Sequence, residues 1–362
     1  MHLAHLRLRD FRNYARMDVD FSPGFHLLLG NNAEGKTNIL EAIYLVATLR
    51  SFRGVGSAQM VRHGQKGYFV GSTIVAQGEH ETRMYWSLRE RSLSLDAQAV
   101  RKITDYIGVL RTVVFCTEDL LLVKGPGRGR RRFLDLLLSQ TLPGYLPLLQ
   151  RYALALRSRN ALLRQPIQDP AALESFSPEV ISLGNQIMRH RRELLPQFLP
   201  LARQAHARIA SAAEELSLAY APSVRNDFAV ELAQSQSRER VYRATLVGPH
   251  RDEVQILLND RSASQFGSEG QKRTVAIALK MAQAEYLTTI HGTPPVLLID
   301  DIMGELDLTR RSGLVPLLER AHLAHGQVFM TATEENWPQE LGRDLQRWTV
   351  QDGAVRRAAS GK

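Results

Sequence analysis

Gly30, Gly35, Lys36 and Thr37 stand at the spacing Gly-x-x-x-x-Gly-Lys-Thr inside the stretch GNNAEGKTN, residues 30–38. Glycines there let backbone N–H groups turn inward onto phosphate oxygens, and a helix opening behind them adds its positive end. Lys36 is spaced to reach the β and γ phosphates of ATP, and the Thr37 hydroxyl to ligate Mg²⁺. Asn31, Asn32, Ala33, Glu34 and Asn38 complete the expected ATP-binding stretch. Chance produces this pattern in roughly one chain of this length in a hundred. The acids that such a loop requires end the apolar run VLLIDD, residues 296–301. Asp300 is the expected magnesium holder, and Asp301 the group that orients or deprotonates the attacking water.

These residues need a parallel sheet beneath them. Strands are predicted over 3–9, 17–22 and 25–30, the last running into the loop, with a helix over 38–49. Further strands are expected between 67 and 114. The middle of the chain, 132–165 and 178–220, has helical spacing, with a loop over 165–170. Pro178, Pro196 and Pro200 are expected to start or break helices, so this region reads as a compact helical lobe. Strands return over 241–247 and 253–258, the latter closed by an Asn259-Asp260 hairpin turn. Helix 269–290, strand 296–299, helix 309–323 and strand 327–330 follow, and the tail after 355 is expected to fray. The fold class is α/β.

Two further motifs narrow the class. FGSEGQKR, residues 266–273, opens a helix upstream of the paired acids, and MGELD, residues 303–307, follows them directly. Ser-x-Gly-Gln there resembles the signature motif of ABC-type ATPases, and MGELD resembles their D-loop. The competing reading of Ser268 is a helix N-cap with Lys272 on a solvated face. The resemblance implies an ABC-type ATPase head with an inserted helical lobe: 1–115 plus 275–362 as the ATPase core, 116–274 as the arm. It also implies a head-to-tail homodimer around two ATP molecules, with Ser268, Gly270, Gln271 and Asp307 acting in trans. Arg12 and Asn13 resemble residues that related ATPases hold beside the adenine.

Lys36 and Asp300 are 264 positions apart, too far for a transporter ATPase and too close for the long coiled-coil ATPases. LRLRDFRNY at 6–14, VKGPGRGRRRFLD at 123–135 and LVGPHRDEV at 246–254 are similar to segments of the RecF family. The resemblance implies a weak, DNA-stimulated ATPase that assists recombinational repair and replication restart. In that family RecO and RecR are the expected partners, and the outcome is loading of the RecA recombinase at gaps. Alternatives are an ABC-type ATPase subunit of another DNA-repair or transport complex, a metabolic P-loop kinase, and a clamp that needs no nucleotide. No switch histidine ends the strand at Met330-Thr331-Ala332-Thr333, and the expected base, Asp301, is one methylene shorter than glutamate. Both features predict slow hydrolysis.

Composition bounds the partners. The net charge is +9, and of 46 basic residues only seven are lysine, which favours polyanions and bidentate phosphate contacts. Lys124, Arg128, Arg130 and Arg131 form the densest basic cluster, ahead of a helix predicted over 133–138, and are the candidate DNA contacts. Its competing reading is pairing with acids. Trp86, Trp337 and Trp348 are too scattered to make a stacking platform, so sequence-independent contact with duplex and with single/double-strand junctions is expected. One cysteine, Cys116, excludes a disulfide framework. No run of 18 apolar residues is present, so the chain reads as cytoplasmic.

Overall fold

A computed structural model describes residues 1–166, 170–210, 214–333 and 345–358. The chain divides into two compact units, one of Met1–Asp119, Ala205–Ala212 and Ile277–Lys362, the other of Leu120–Gln204 and Ala213–Ala276. Trp337 and part of the predicted 165–170 loop lie outside the described residues.

The first unit holds two six-stranded sheets. One is antiparallel, in the order Tyr14–Asp20, His2–Phe11, Gly67–Val75, Glu79–Ser87, Arg91–Leu95, Gln98–Ala99. The other is mostly parallel, in the order Ala354–Arg357, Leu345–Gln351, Gly24–Leu29, Gln327–Ala332, Val296–Asp300, Thr112–Phe115. Its central strands are continuous apolar runs, as a parallel sheet buried on both faces requires. Strand Gln327–Ala332 lies between the strand feeding the loop and the strand carrying the acids. Ligand sites of such sheets lie beyond the carboxyl ends of the strands, and both chemical motifs are at those ends. The tail does not fray where described. Asp352 and Gly353 turn at φ 48° and 71°, and Ala354–Arg357 pairs back on Leu345–Gln351. An Asp-Gly dipeptide of this kind is a strong hairpin signal, and it went unread in the sequence.

The second unit carries most of the helical region and a three-stranded sheet, Arg261–Ser262, Glu253–Leu258, Leu216–Ala221. The Asn259-Asp260 turn is present, both residues left-handed. Three expectations fail. Residues 241–247 are not a strand, because helix Phe228–Tyr242 occupies the start of that stretch. Leu216–Ala221 is a strand where helical spacing was read. And Pro178, Pro196 and Pro200 all lie inside one helix, Pro170–Ile209. An interior proline costs about 3 kcal/mol, but Val180, Leu183, Ile187, Leu194, Phe198 and Ala202 are all buried along that helix. Each large apolar side chain buried contributes roughly 1.5–3 kcal/mol, so packing outweighs propensity.

Each unit buries a neutral histidine. Trp348 Nε1, which can only donate, bonds His26 Nδ1 at 3.1 Å, so Nε2–H donates to the Ser22 carbonyl at 2.7 Å. In the second unit His250 Nε2 donates to the Thr245 carbonyl at 3.0 Å, and Nδ1 accepts from Tyr152 Oη at 2.7 Å. Burial pushes both down to about 4. The unfolded chain therefore binds more protons than the folded one between pH 6.5 and 4. Stability is full above pH 6.5 and is lost as pH falls toward 4, by about 2 kcal/mol per histidine at pH 5. Urea unfolding at pH 7.5 and pH 5, repeated on His26→Gln, is expected to show this loss and its partial removal.

Candidate nucleotide site

The loop's conformation comes from its neighbours as well as its glycines. Gly35 caps helix Lys36–Thr48 at φ 111°, and a Cβ there would meet the Asn13 side chain at 2.5–2.9 Å. Ala33 is also left-handed, at φ 68°. Gly30 is required for a different reason: strand Leu345–Gln351 passes so close that a Cβ would lie 2.2 Å from the Val350 carbonyl oxygen. Asn13 touches the loop directly, its Nδ2 donating to the Glu34 carbonyl at 2.7 Å and its Oδ1 accepting from Asn38 at 2.8 Å. Glu34 in turn accepts from the Asp352 backbone N–H. Asn31, Asn32 and Ala33 are exposed.

Lys36 is buried, and its Nζ donates to the Gly30 and Asn31 carbonyls at 2.6 and 2.8 Å. Burial lowers its pKa, against the pull of Asp301, Asp300 and Glu34. Thr37 Oγ1 donates to Asp300 Oδ1 at 2.8 Å, which joins the loop to the paired acids. The same carboxylate oxygen accepts from Thr331 Oγ1 at 2.9 Å, and Thr331 Oγ1 accepts from the Asp301 N–H at 2.9 Å. Parallel pairing sets Thr331 directly across from Asp300. Burial raises the Asp300 pKa, opposed by the two hydroxyls and reinforced by Glu118 and Asp301. Asp301 is exposed and left-handed, at φ 53°. The hard oxygens of Thr37 and Asp300 suit Mg²⁺, which takes one or two protein ligands and otherwise water and phosphate.

Thr331 and Glu118 were missed in the sequence. A hydroxyl ending an apolar strand is the available signal for Thr331, and that position was read only for the histidine it lacks. Arg12 is not the exposed corner residue that its turn suggests. Its Nε and Nη2 grip both oxygens of fully buried Glu41 at 2.7 Å, and Nη1 donates to the Gln59 carbonyl at 2.9 Å. That pairing fixes the corner to the helix behind the loop, and no part of it requires adenine.

The family described as RecF/RecN/SMC N terminal domain matches residues 2–356. The DNA replication and repair protein RecF of Symbiobacterium thermophilum is 38% identical, over 98% of both chains. The chain belongs to the RecF family. The Streptococcus pneumoniae RecF is 33% identical over 98% of each chain. A solved structure of the recombination mediator RecF with ATP, in the RecFOR pathway, superposes with a TM-score of 0.88 at 28% identity, over 99% of this chain and 97% of that one. The Smc head domain of Pyrococcus furiosus shares the fold, with a TM-score of 0.58 at 15% identity over 99% of this chain and 96% of that one. The mixed α/β architecture is thus that of an ABC-type ATPase head.

The other RecF-like segments lie in the second unit. Ser268 caps helix Glu269–His291 reciprocally: its Oγ accepts from Gln271 N at 3.2 Å, and its N–H donates to Gln271 Oε1 at 2.6 Å. Gln271 Nε2 also donates to Glu214 at 2.8 Å. Ser268 is exposed and Gly270 half-buried, so the capping role leaves this helix N-terminus open to an anion. Lys272 is largely covered, beside Glu269, not on a solvated face. In the first unit, Asp307 caps helix Leu308–Leu323 by accepting from Arg310 N at 2.9 Å, and also pairs with the Arg310 side chain.

The basic cluster is largely neutralised. Its helix begins at Gly127, not near 133. Arg130 binds both oxygens of Glu253 at 2.7 and 2.9 Å and three carbonyls besides, those of Leu122, Val123 and Gly125. Arg131 donates to the Asp252 carbonyl, and Lys124 pairs with Glu269 at 2.6 Å. Of the four, Arg128 alone is exposed with no such partner among the described residues. The segments RRRFLD and GPHRDE meet instead at buried Arg191. Its Nε and Nη2 each bond Asp135 at 3.0 Å, and its Nη1 bonds the Pro249 carbonyl at 2.7 Å and Asp252 at 3.2 Å. Among the described residues no helix is long and apolar enough to cross a membrane.

Proposed function

We propose that this chain is an ATP-dependent, DNA-binding recombination mediator, in which ATP closes a head-to-tail homodimer and slow hydrolysis reopens it. The observation that carries the reading is the 2.8 Å bond from Thr37 to Asp300, uniting the phosphate loop with acids 263 positions away. The functional division is an ATPase core of 1–115 plus 275–362 and an arm of 116–274. Residues Gly30 to Asn38 and Asn13 hold the triphosphate, with Lys36 as its cation, while Arg12 braces the corner beneath. Thr37 and Asp300 hold Mg²⁺, which neutralises charge on the phosphates when bound. Asp301 takes the proton of the attacking water. Ser268, Gly270 and Gln271 of a second copy, with its Asp307, complete the site in trans. DNA, as duplex and single/double-strand junctions without sequence preference, and RecR and RecO are the partners of this cycle. The reading of a transport subunit loses support from the RecF likeness along the whole chain.

The test is molar mass in solution, with and without ATP–Mg²⁺, for wild type, Lys36→Met and Ser268→Arg. ATP is expected to double the mass of wild type alone. Losing the Ser268 cap costs only about 1 kcal/mol, so that variant remains folded. Three monomers under conditions where ATP demonstrably binds wild type would overturn the trans site.

A further inference from the structure

Two helices of the second unit end side by side. Near their C-termini Tyr145–Leu163 and Phe228–Tyr242 are joined by the buried Arg159–Glu239 ion pair at 2.7 Å. Asn160 Oδ1 also accepts from Thr245 N and Thr245 Oγ1 at 2.7 and 2.8 Å. Arg157 and Arg164 lie one turn to either side of Asn160, on its face of the first helix. Arg240 lies in the last turn of the second helix, Arg238 just before that turn, and Arg243 is its C-cap. All five are exposed, and none has an ion pair or side-chain hydrogen bond among the described residues.

The local acids do not offset them. Helix Tyr145–Leu163 contains no aspartate or glutamate. In Phe228–Tyr242, Glu231 accepts from the Arg225 and Asn226 N–H groups, and Glu239 is fully buried against Arg159. Beside these arginines Tyr242 is 66% exposed and Val241 78% exposed. Cations near a helix C-terminus stabilise it, but one at each end serves that purpose, and it explains neither the other three nor the bared ring.

We propose that this surface is a DNA site, with Arg157, Arg164, Arg238, Arg240 and Arg243 on backbone phosphates and Tyr242 stacked on an unpaired base. The chemistry is that of sequence-independent binding: fixed cations for the backbone, and an aromatic face that any base can meet. It rests on the DNA-binding reading above, and moves the contact away from Lys124, Arg130 and Arg131. An acidic protein segment is a poorer occupant, because the apolar part of the patch is confined to Val241 and Tyr242.

The test uses the full-length protein with ATP–Mg²⁺ and fluorescent duplexes, one blunt and one with a single-stranded overhang, over a range of salt. Arg240→Glu/Arg243→Glu is expected to weaken binding to both probes more than tenfold. The uncharged pair Arg240→Gln/Arg243→Gln should reduce the slope of log K against log salt by about two, since each phosphate contact contributes about 0.9. Tyr242→Ala is expected to weaken the overhang probe about tenfold and leave the blunt duplex unchanged. ATP-driven mass serves as the control for folding and should stay as in wild type. Unchanged DNA affinity and salt slope in the arginine variants would overturn the site alone, and would favour an acidic protein partner there. Failure of wild type to bind either probe would overturn both the site and the DNA-binding reading.

Discussion

Asp301→Asn is expected to lower ATP turnover by at least about a hundredfold while ATP binding and the ATP-closed dimer persist. A positioned general base contributes about 10²–10⁴ in rate, and Asp301 is the acid of the pair that remains free to act as one. Asp300 is tied by Thr37 and Thr331 on a single oxygen, whereas the Asp301 carboxylate is exposed and its backbone alone is anchored, through Thr331. The substitution is gentle on the fold. Asparagine is nearly isosteric and tolerates left-handed backbone such as the φ of 53° found here. Single-turnover hydrolysis, read beside molar mass, separates chemistry from assembly. Wild-type turnover in the variant would sink the role assigned to Asp301, and loss of the dimer would show that it acts in binding. Asp300→Asn differs in kind: it is expected to raise the Mg²⁺ concentration required, because it removes charge from the oxygen set that suits the metal.

The loop, the paired acids and the order of four motifs were legible because each depends on residues close in sequence with a fixed spacing. The Asn259-Asp260 turn was legible for the same reason. What was hidden is set by distant partners. No local pattern says that Gly30 lies under the Val350 carbonyl, or that Glu41 waits behind Arg12. The basic residues make the point most sharply. The dense run at 124–131 looked available, yet Glu253, Asp252 and Glu269 cover three of its four cations from more than a hundred positions away. The arginines at 238–243 are sparser, and their one acidic neighbour in the last turn is withdrawn into a buried pair. A charge is readable from sequence; its availability is a tertiary property. The three interior prolines make the same point for the backbone, since their cost is visible locally and the packing that offsets it is not.

Arg191→Ala is expected to destabilise the second unit by about 3–5 kcal/mol, the cost of leaving buried carboxylates without their cation. Arg191 and Asp252 are both almost fully buried, and Asp135 is only slightly exposed. Two carboxylates beside the guanidinium hold it charged despite burial, so its removal strands negative charge in the interior. Tyr145 donates to Asp135 at 2.7 Å, Tyr220 donates to Asp252, and Ser223 N donates to Asp252 at 2.8 Å. These bonds join three helices, a strand and the GPHRDE turn through one side chain. Arg191→Lys should recover little, because an ammonium cannot reproduce the paired bonds to Asp135 while reaching the Pro249 carbonyl. Urea denaturation followed by tryptophan-independent circular dichroism would measure the loss, with Arg189→Ala as the comparison. Arg189 is exposed, and its ion pair with Glu193 is a weak i,i+4 contact at 3.9 Å, so its removal should cost under about 0.5 kcal/mol. A loss for Arg191→Ala no larger than for Arg189→Ala would show that the network is not what holds this unit. The RRRFLD and GPHRDE likeness would then have to be explained by contacts with a ligand instead.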